Sequence, residues 1–442
     1  TMILAASAAA VDANNETNSM DHLTTTSEYI NDYDETFVSP FSVEEKIKRN
    51  VEDQLSHFAY SWDPFQSHDI PILLHIPGDE MVGGVPMIKL MLSSCYRFVM
   101  ASEMVVTNDN NIIGTKLAIV CPDSSSKHDR FPYVNVNMYS KKGINDAKGM
   151  GLIDSGLAQV IVTKYIYELN DLFNSTTTTT SRRRKGRLFA MFQHPVDRVV
   201  HYFYHLQEEG PSQEQEDPDN DNGNNNSVPV VVIDKSWTLE QYAQSNYGHH
   251  HHHHNWLTRH LSNARPNERL TDNHVTIAMN ALRTKFLIGL HTDLEGTMER
   301  LEKYFQWKFH VNPIQQETCR RQLLSTSSEK EKTTNHQGIF SYFSSKTTNK
   351  YDYPEKGDKV WELLAFQNSL DLQVYDYIEK LYKEQVEFVK DIPDGFRNIG
   401  ATCCKCNPPT YPLLVEEEEE ETFVCPDWVP TDWILDFTKK NH

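Results

Sequence analysis

The stretch IPILLHI (residues 70–76) is a continuous apolar run of strand length, and PGDEMVGGVPMIKLMLSS (residues 77–94) follows it directly. A strand that is apolar at every position, not at alternate ones, is suited to the centre of a sheet, buried on both faces. The glycine-containing turn and the apolar helix expected over Met87–Ser94 complete a strand-turn-helix unit. Such a unit presents backbone N–H groups and the positive end of a helix to an anion. The Gly83-Gly84 pair is weak evidence by itself, because a tight β-to-α turn needs the same residues.

Working outward, further strands are expected at Arg97–Ala101, Leu117–Cys121, Tyr133–Met138, Val160–Thr163, Arg187–Phe192 and Phe286–Leu290. Helical patterns between several of them predict an α/β fold with a parallel sheet. A second strand-to-helix unit is RLFAMFQHPVDRVVHYFYHLQ (187–207), with Pro195 in the first helical turn. Val199, Val200, Phe203 and Leu206 make its buried stripe, while Arg198 reads either as a ligand-facing cation or as half of a structural ion pair. A long helix is expected over Asp358–Val389, where Val374, Tyr377, Ile378, Leu381 and Tyr382 share one face.

The 442 residues exceed the usual single domain, and three parts are expected: an acidic extension (1–68), the α/β domain (69–390) and an acidic Cys-containing tail (391–442). The formal net charge of −20 argues against a generally nucleic-acid-binding surface. That acidity is concentrated in residues 1–68, in Glu208–Asp221 and in Glu416–Glu421, so the rest of the chain is nearly neutral and a small anion remains admissible there. No apolar run is long enough to span a bilayer. The opening Thr1-Met2-Ile3-Leu4-Ala5-Ala6 is compatible with the remnant of a signal or membrane anchor and is too short to assign. Thr176–Thr180, Glu208–Ser227, His249–His254 and Glu416–Glu421 are low-complexity tracts suited to surface loops or tails. The histidine run reads as such a tract or as a Zn²⁺ or Ni²⁺ binder without the spaced ligands of a built site.

Seven cysteines include Cys403, Cys404, Cys406 and Cys425, whose spacing matches no standard zinc motif and suits disulfides in an oxidising compartment. Cys95 and Cys121 lie on neighbouring expected elements and are a candidate pair. With sequons at Asn15, Asn174 and Asn225, the cysteines lean toward the secretory pathway or Golgi lumen.

Taken together, the two units resemble the sulfotransferase family, particularly carbohydrate sulfotransferases of the algal and diatom type. The resemblance rests on HIP followed by GG, on HPVDR after a strand, on NWLTRHL (255–261), on FLIGL with the helix after it (286–305) and on NSLDLQVYDYIEKLYKEQ (368–385). It covers about residues 69–390. It implies a P-loop-like three-layer α/β/α fold with a central parallel sheet and helices on both faces, 3′-phosphoadenosine 5′-phosphosulfate (PAPS) as sulfuryl donor and a carbohydrate or glycan hydroxyl as acceptor. Gly83, Gly84 and Lys89 would meet the phosphosulfate, and Gln193, Arg198 and His201 the 3′-phosphate. The implied catalytic residues are Glu103, as base for the acceptor hydroxyl, and Lys89.

The sequence departs from the family pattern in two places. Five residues, Gly78–Val82, separate Pro77 from Gly83, and they contain Asp79 and Glu80 but no lysine or arginine; Val85 stands where a hydroxyl residue is expected. In the second unit Gln193 replaces an arginine, which removes hydrogen bonds worth roughly 1.5–3 kcal/mol each to a charged group. Lys89, His201 and the basic cluster Arg182–Lys185 with Arg187 are the candidates to compensate. Two classes therefore stand: a PAPS-dependent carbohydrate sulfotransferase, and a non-catalytic glycan- or protein-binding module on the same scaffold.

Overall fold

Five consecutive buried residues, Ile70–Leu74, form β1, paired in parallel on both sides. Pro71 is tolerated inside this strand for a local reason. On the β6 side Ile70 donates to the Lys185 carbonyl, whereas pairing with β5 begins only at Ile72, so the N–H that proline lacks falls before that ladder starts. The computed structural model describes residues 51–77, 85–103, 116–120, 132–174, 184–209, 236–245, 254–265, 268–307, 313–328 and 353–392. All of them lie in the compact unit Val43–His442.

After β1 come α1 (Val85–Ser94), β2 (Met100–Ala101), β3 (Ile119–Val120) and β4 (Tyr133–Val134). These are followed by α2 (Lys141–Gly149), α3 (Leu152–Ser155), β5 (Val160–Thr163), α4 (Ile166–Asn170), β6 (Gly186–Phe192) and α5 (Pro195–Glu209). The remainder is α6 (Leu239–Gln244), α7 (Trp256–Leu261), α8 (Asp272–Lys285), β7 (Phe286–Leu290), α9 (Leu294–Phe305), α10 (Pro313–Ser328), α11 (Lys359–Gln367) and α12 (Ser369–Lys390). The seven described strands run in the order β3-β4-β2-β5-β1-β6-β7. All pairs are parallel except β3 with β4, which is antiparallel and corrects the all-parallel expectation at that edge.

Alternation along the strands sorts the core into two layers. Ile72, Leu74, Leu188, Ala190 and Ile288 pack with α2, α4, α7, α8 and α12. Leu73, Phe189, Met191 and Leu287 pack with α1, α9 and α10. A third cluster, built on Val199, Val200, Phe203 and Leu364, joins α5, α6 and α11. The core also reaches back before residue 69, since Val51, Leu55, Phe58 and Phe65 are buried. Phe58 bridges to Gly186, and a Cβ at Gly186 would stand 2.5 Å from both Phe58 and Ile72. On the outer edge of β7, Gln385 of α12 accepts from Ile288 N and donates to Phe286 O, which covers the free edge.

Several expected elements are shorter or broken. Arg97 adopts a left-handed φ of 54° and keeps its neighbours out of β2. Asn135 ends β4 by bonding through its side chain to Ala118 N and Lys116 O. The long helix over 358–389 is two helices, because the Asn368 side chain donates to Leu364 O and competes with the helix backbone. Cys95 is disulfide-bonded to Cys319, not to Cys121, which lies outside the described residues. The bond ties the end of α1 to α10, beside a polar cluster in which Tyr96 donates to Glu302 and Arg320 meets Glu302, Glu299 and Glu317.

Replacing Cys319 by Ser should lower stability by about 2–4 kcal/mol, since the bond closes a long loop. Urea denaturation of wild type and variant with and without dithiol reductant checks this. The expected result is that reductant shifts the wild type and leaves the variant unchanged.

Candidate functional site

Topology places the site. The strand after β1 lies on the β5 side of the sheet, whereas the strand after β6 lies beyond it on the other side. Adjacent parallel strands whose onward connections diverge leave a crevice at their carboxyl ends, the usual ligand position in open α/β sheets. Register confirms the adjacency, with Leu74 opposite Ala190. The two units singled out in the sequence are therefore side by side at one edge of the sheet.

On the β1 side His75 is buried, its N–H bonded to Thr163 O and its ring 5.1 Å from that of Tyr139. Lys89, half-buried on α1, places its Nζ over the ring of the same tyrosine, 5.7 Å from the ring centre. Tyr139 thus brings Lys89 and His75 to one place. Glu103 is exposed just beyond β2. It lies at the same sheet edge but two strands from β1, about 10 Å away at the ordinary strand spacing of ~4.8 Å. Gly83 and Gly84 lie outside the described residues, as do Asp79 and Glu80.

On the β6 side the sequence candidates occupy two different environments. Gln193 and His201 are both buried and bonded to each other, the Gln193 amide N–H donating to His201 Nδ1. Burial, reinforced by nearby His291, pushes His201 down to about 3, so it is an uncharged imidazole at neutral pH. Arg198, 1% exposed, directs its Nη2 to Asp371 Oδ2 at 3.7 Å. Asp371 is itself fully buried and accepts from Leu257 N (3.0 Å), Thr258 N (2.7 Å) and Thr258 Oγ1 (2.8 Å). Burial raises its carboxyl, with Arg198 and these bonds opposing.

This arrangement also explains two of the sequence blocks. Asp371 caps the start of α7, while Asn255, immediately before α7, accepts from Leu370 N and Asp371 N at the start of α12. NWLTRHL and NSLDLQ are thus two helix starts that cap each other. Asp371 was not among the residues read as functional. Its signal was present, however, as an acid three and four residues before Val374 and Tyr375 on an otherwise apolar face.

Other residues were missed. His194 lies 6.1 Å from Trp361 and 5.4 Å from Tyr375, measured between rings. Tyr353 approaches His201 edge-on at 5.3 Å. Asp197 opens to solvent in the first turn of α5, where crowding by neighbouring atoms raises its carboxyl against the pull of His194 and His291. His291 directly follows the apolar β7, as His75 follows β1. A polar residue just after a fully apolar strand is the sequence signal that His75 and His291 share.

The described members of the basic cluster do not serve this site. Arg187 begins β6 at the opposite edge, where it pairs with Asp69 at 2.7 Å and donates to the carbonyls of Tyr60, Asp63 and Pro64. Six residues of strand, about 20 Å, separate it from Gln193. Arg184 donates to Ile153 O. Arg182 and Arg183 lie outside the described residues, as do Cys403, Cys404, Cys406, Cys425 and all of the histidine run except His254. Compared with protein-family models, with curated proteins and with solved structures, the chain matches none.

Asp371→Ala should cost about 3–5 kcal/mol, because it strands the buried Arg198 charge and uncaps α7; chemical denaturation measures it. Acidification supplies a second check. His201 has its ordinary value of 6.5 in the unfolded chain and about 3 when folded. The unfolded state therefore binds the proton first, and stability falls as pH drops from about 6.5 toward about 3. His260, stacked on Trp256 and pushed by burial to about 4, acts in the same direction. A Tm-against-pH series should be flatter across that window in His201→Gln than in wild type.

Proposed function

We propose that the chain is a sulfotransferase-like protein that moves a sulfuryl group from a nucleotide donor, PAPS, to a carbohydrate hydroxyl. The observation carrying this reading is the side-by-side placement of the β1 and β6 carboxyl ends at the switch point of the sheet. The donor supplies an activated sulfuryl group. Lys89 lies on the β1 side, where negative charge on a departing phosphate needs a cation. Glu103, exposed at the same edge, takes the proton from the acceptor hydroxyl. The Cys95–Cys319 bond and the exposed sequon residue Asn174 favour placement in the secretory lumen.

The second reading, a non-catalytic glycan- or protein-binding module, is favoured by one specific pairing. Arg198 is held in a buried ion pair with Asp371, and His201 beside it is uncharged. Incubation with radiolabelled PAPS and desulfated oligosaccharides separates the two readings. Labelled glycan is expected, with kcat lower by about 10²–10⁴ in Glu103→Gln and donor affinity unchanged. A wild type that neither transfers label nor gains thermal stability from adenosine nucleotides at millimolar concentration would leave the binding-module reading.

A further inference from the structure

The two halves of the crevice differ in chemistry. Gln193 Oε1 is buried with no hydrogen-bond partner among the described residues, and so is the hydroxyl of Tyr353. Both flank His201, Gln193 through its amide bond and Tyr353 through its ring at 5.3 Å. Leaving a buried polar group unmet is costly, so an acceptor and a donor around one imidazole mark where polar atoms of a guest belong. The surroundings are flat and aromatic, with His194 set between Trp361 and Tyr375.

The charges that face this half are also informative. Burial raises the hydroxyls of Tyr353 and Tyr375; Asp197 adds to the rise at both, and Glu379 at Tyr375. His291 and His194 face Asp197. Lys356 is exposed and stands over Trp361, 5.6 Å from its ring centre. Arg198 is turned to Asp371. A phosphate entering beside His201 would meet a neutral imidazole and the Asp197 carboxylate.

We propose that the β6 half of the crevice receives an uncharged planar heterocycle of the nucleobase class and that its described residues give no recognition to a phosphate. Gln193 Oε1 accepts from an N–H of that ring and the Tyr353 hydroxyl donates to a ring nitrogen. The inference rests on nucleotide binding in the crevice, as proposed above. Its consequence is that nucleotide donors with and without a 3′-phosphate serve alike.

Calorimetric titration of the full chain with three probes tests this: adenosine 5′-monophosphate, adenosine 3′,5′-bisphosphate and ribose 5-phosphate. The first two should bind within about threefold of each other and ribose 5-phosphate about tenfold or more weaker. Tyr353→Phe, which removes a hydroxyl with no described protein partner, should weaken the monophosphate about fivefold and leave ribose 5-phosphate unchanged. The inference is overturned if the bisphosphate binds about tenfold tighter than the monophosphate, if ribose 5-phosphate matches the monophosphate, or if Tyr353→Phe changes nothing. Failure of all three probes to bind instead overturns the nucleotide reading itself, and the inference with it.

Discussion

β1 has no polar side to turn toward water. Its five residues are all buried, so it must be paired on both edges and covered on both faces. Once it takes the centre, β5 and β6 become its neighbours. The helices divide between two layers according to which strand residues they meet. The carboxyl ends of β1 and β6 then lie together because they are neighbours with diverging connections, and the candidate site is a consequence of that burial.

Two buried ion pairs fix the ends of this arrangement. At one edge Arg187 and Asp69 join β6 to the residues just before β1, and the guanidinium also closes three carbonyls of the preceding segment. At the other edge Arg198 and Asp371 join α5 to α12, with Asp371 holding the start of α7. A buried pair of this kind adds little net stability over apolar packing, yet removing one partner is expensive, so both pairs specify register and docking more than they stabilise. The second pair also sets the electrostatics of the crevice, because it withdraws the arginine that the sequence offered to a ligand.

Much of the layout was legible in the sequence. Val160–Thr163 and Phe286–Leu290 are strands with the expected bounds, and β6 differs by one residue. Apolar runs of strand length leave little choice of partner or face. The expectations that were too long, at Arg97–Ala101, Tyr133–Met138 and Asp358–Val389, were cut short by single residues. Arg97 took a left-handed φ, while the Asn135 and Asn368 side chains bonded to backbone. Such local competition is not carried by periodicity.

The sequence alone determined that the chain builds an α/β sheet around residues 70–76 and that strands begin near residues 70 and 187, because hydrophobic burial follows composition and spacing. Only the tertiary structure decided what the named polar residues do. It sent Arg187 to the far edge and paired Arg198 with Asp371, 173 positions along the chain. It also joined Gln193 to His201 and Cys95 to Cys319. A charge or a thiol is satisfied by whichever partner folding brings within a few ångströms, and that distance is a property of the packed chain.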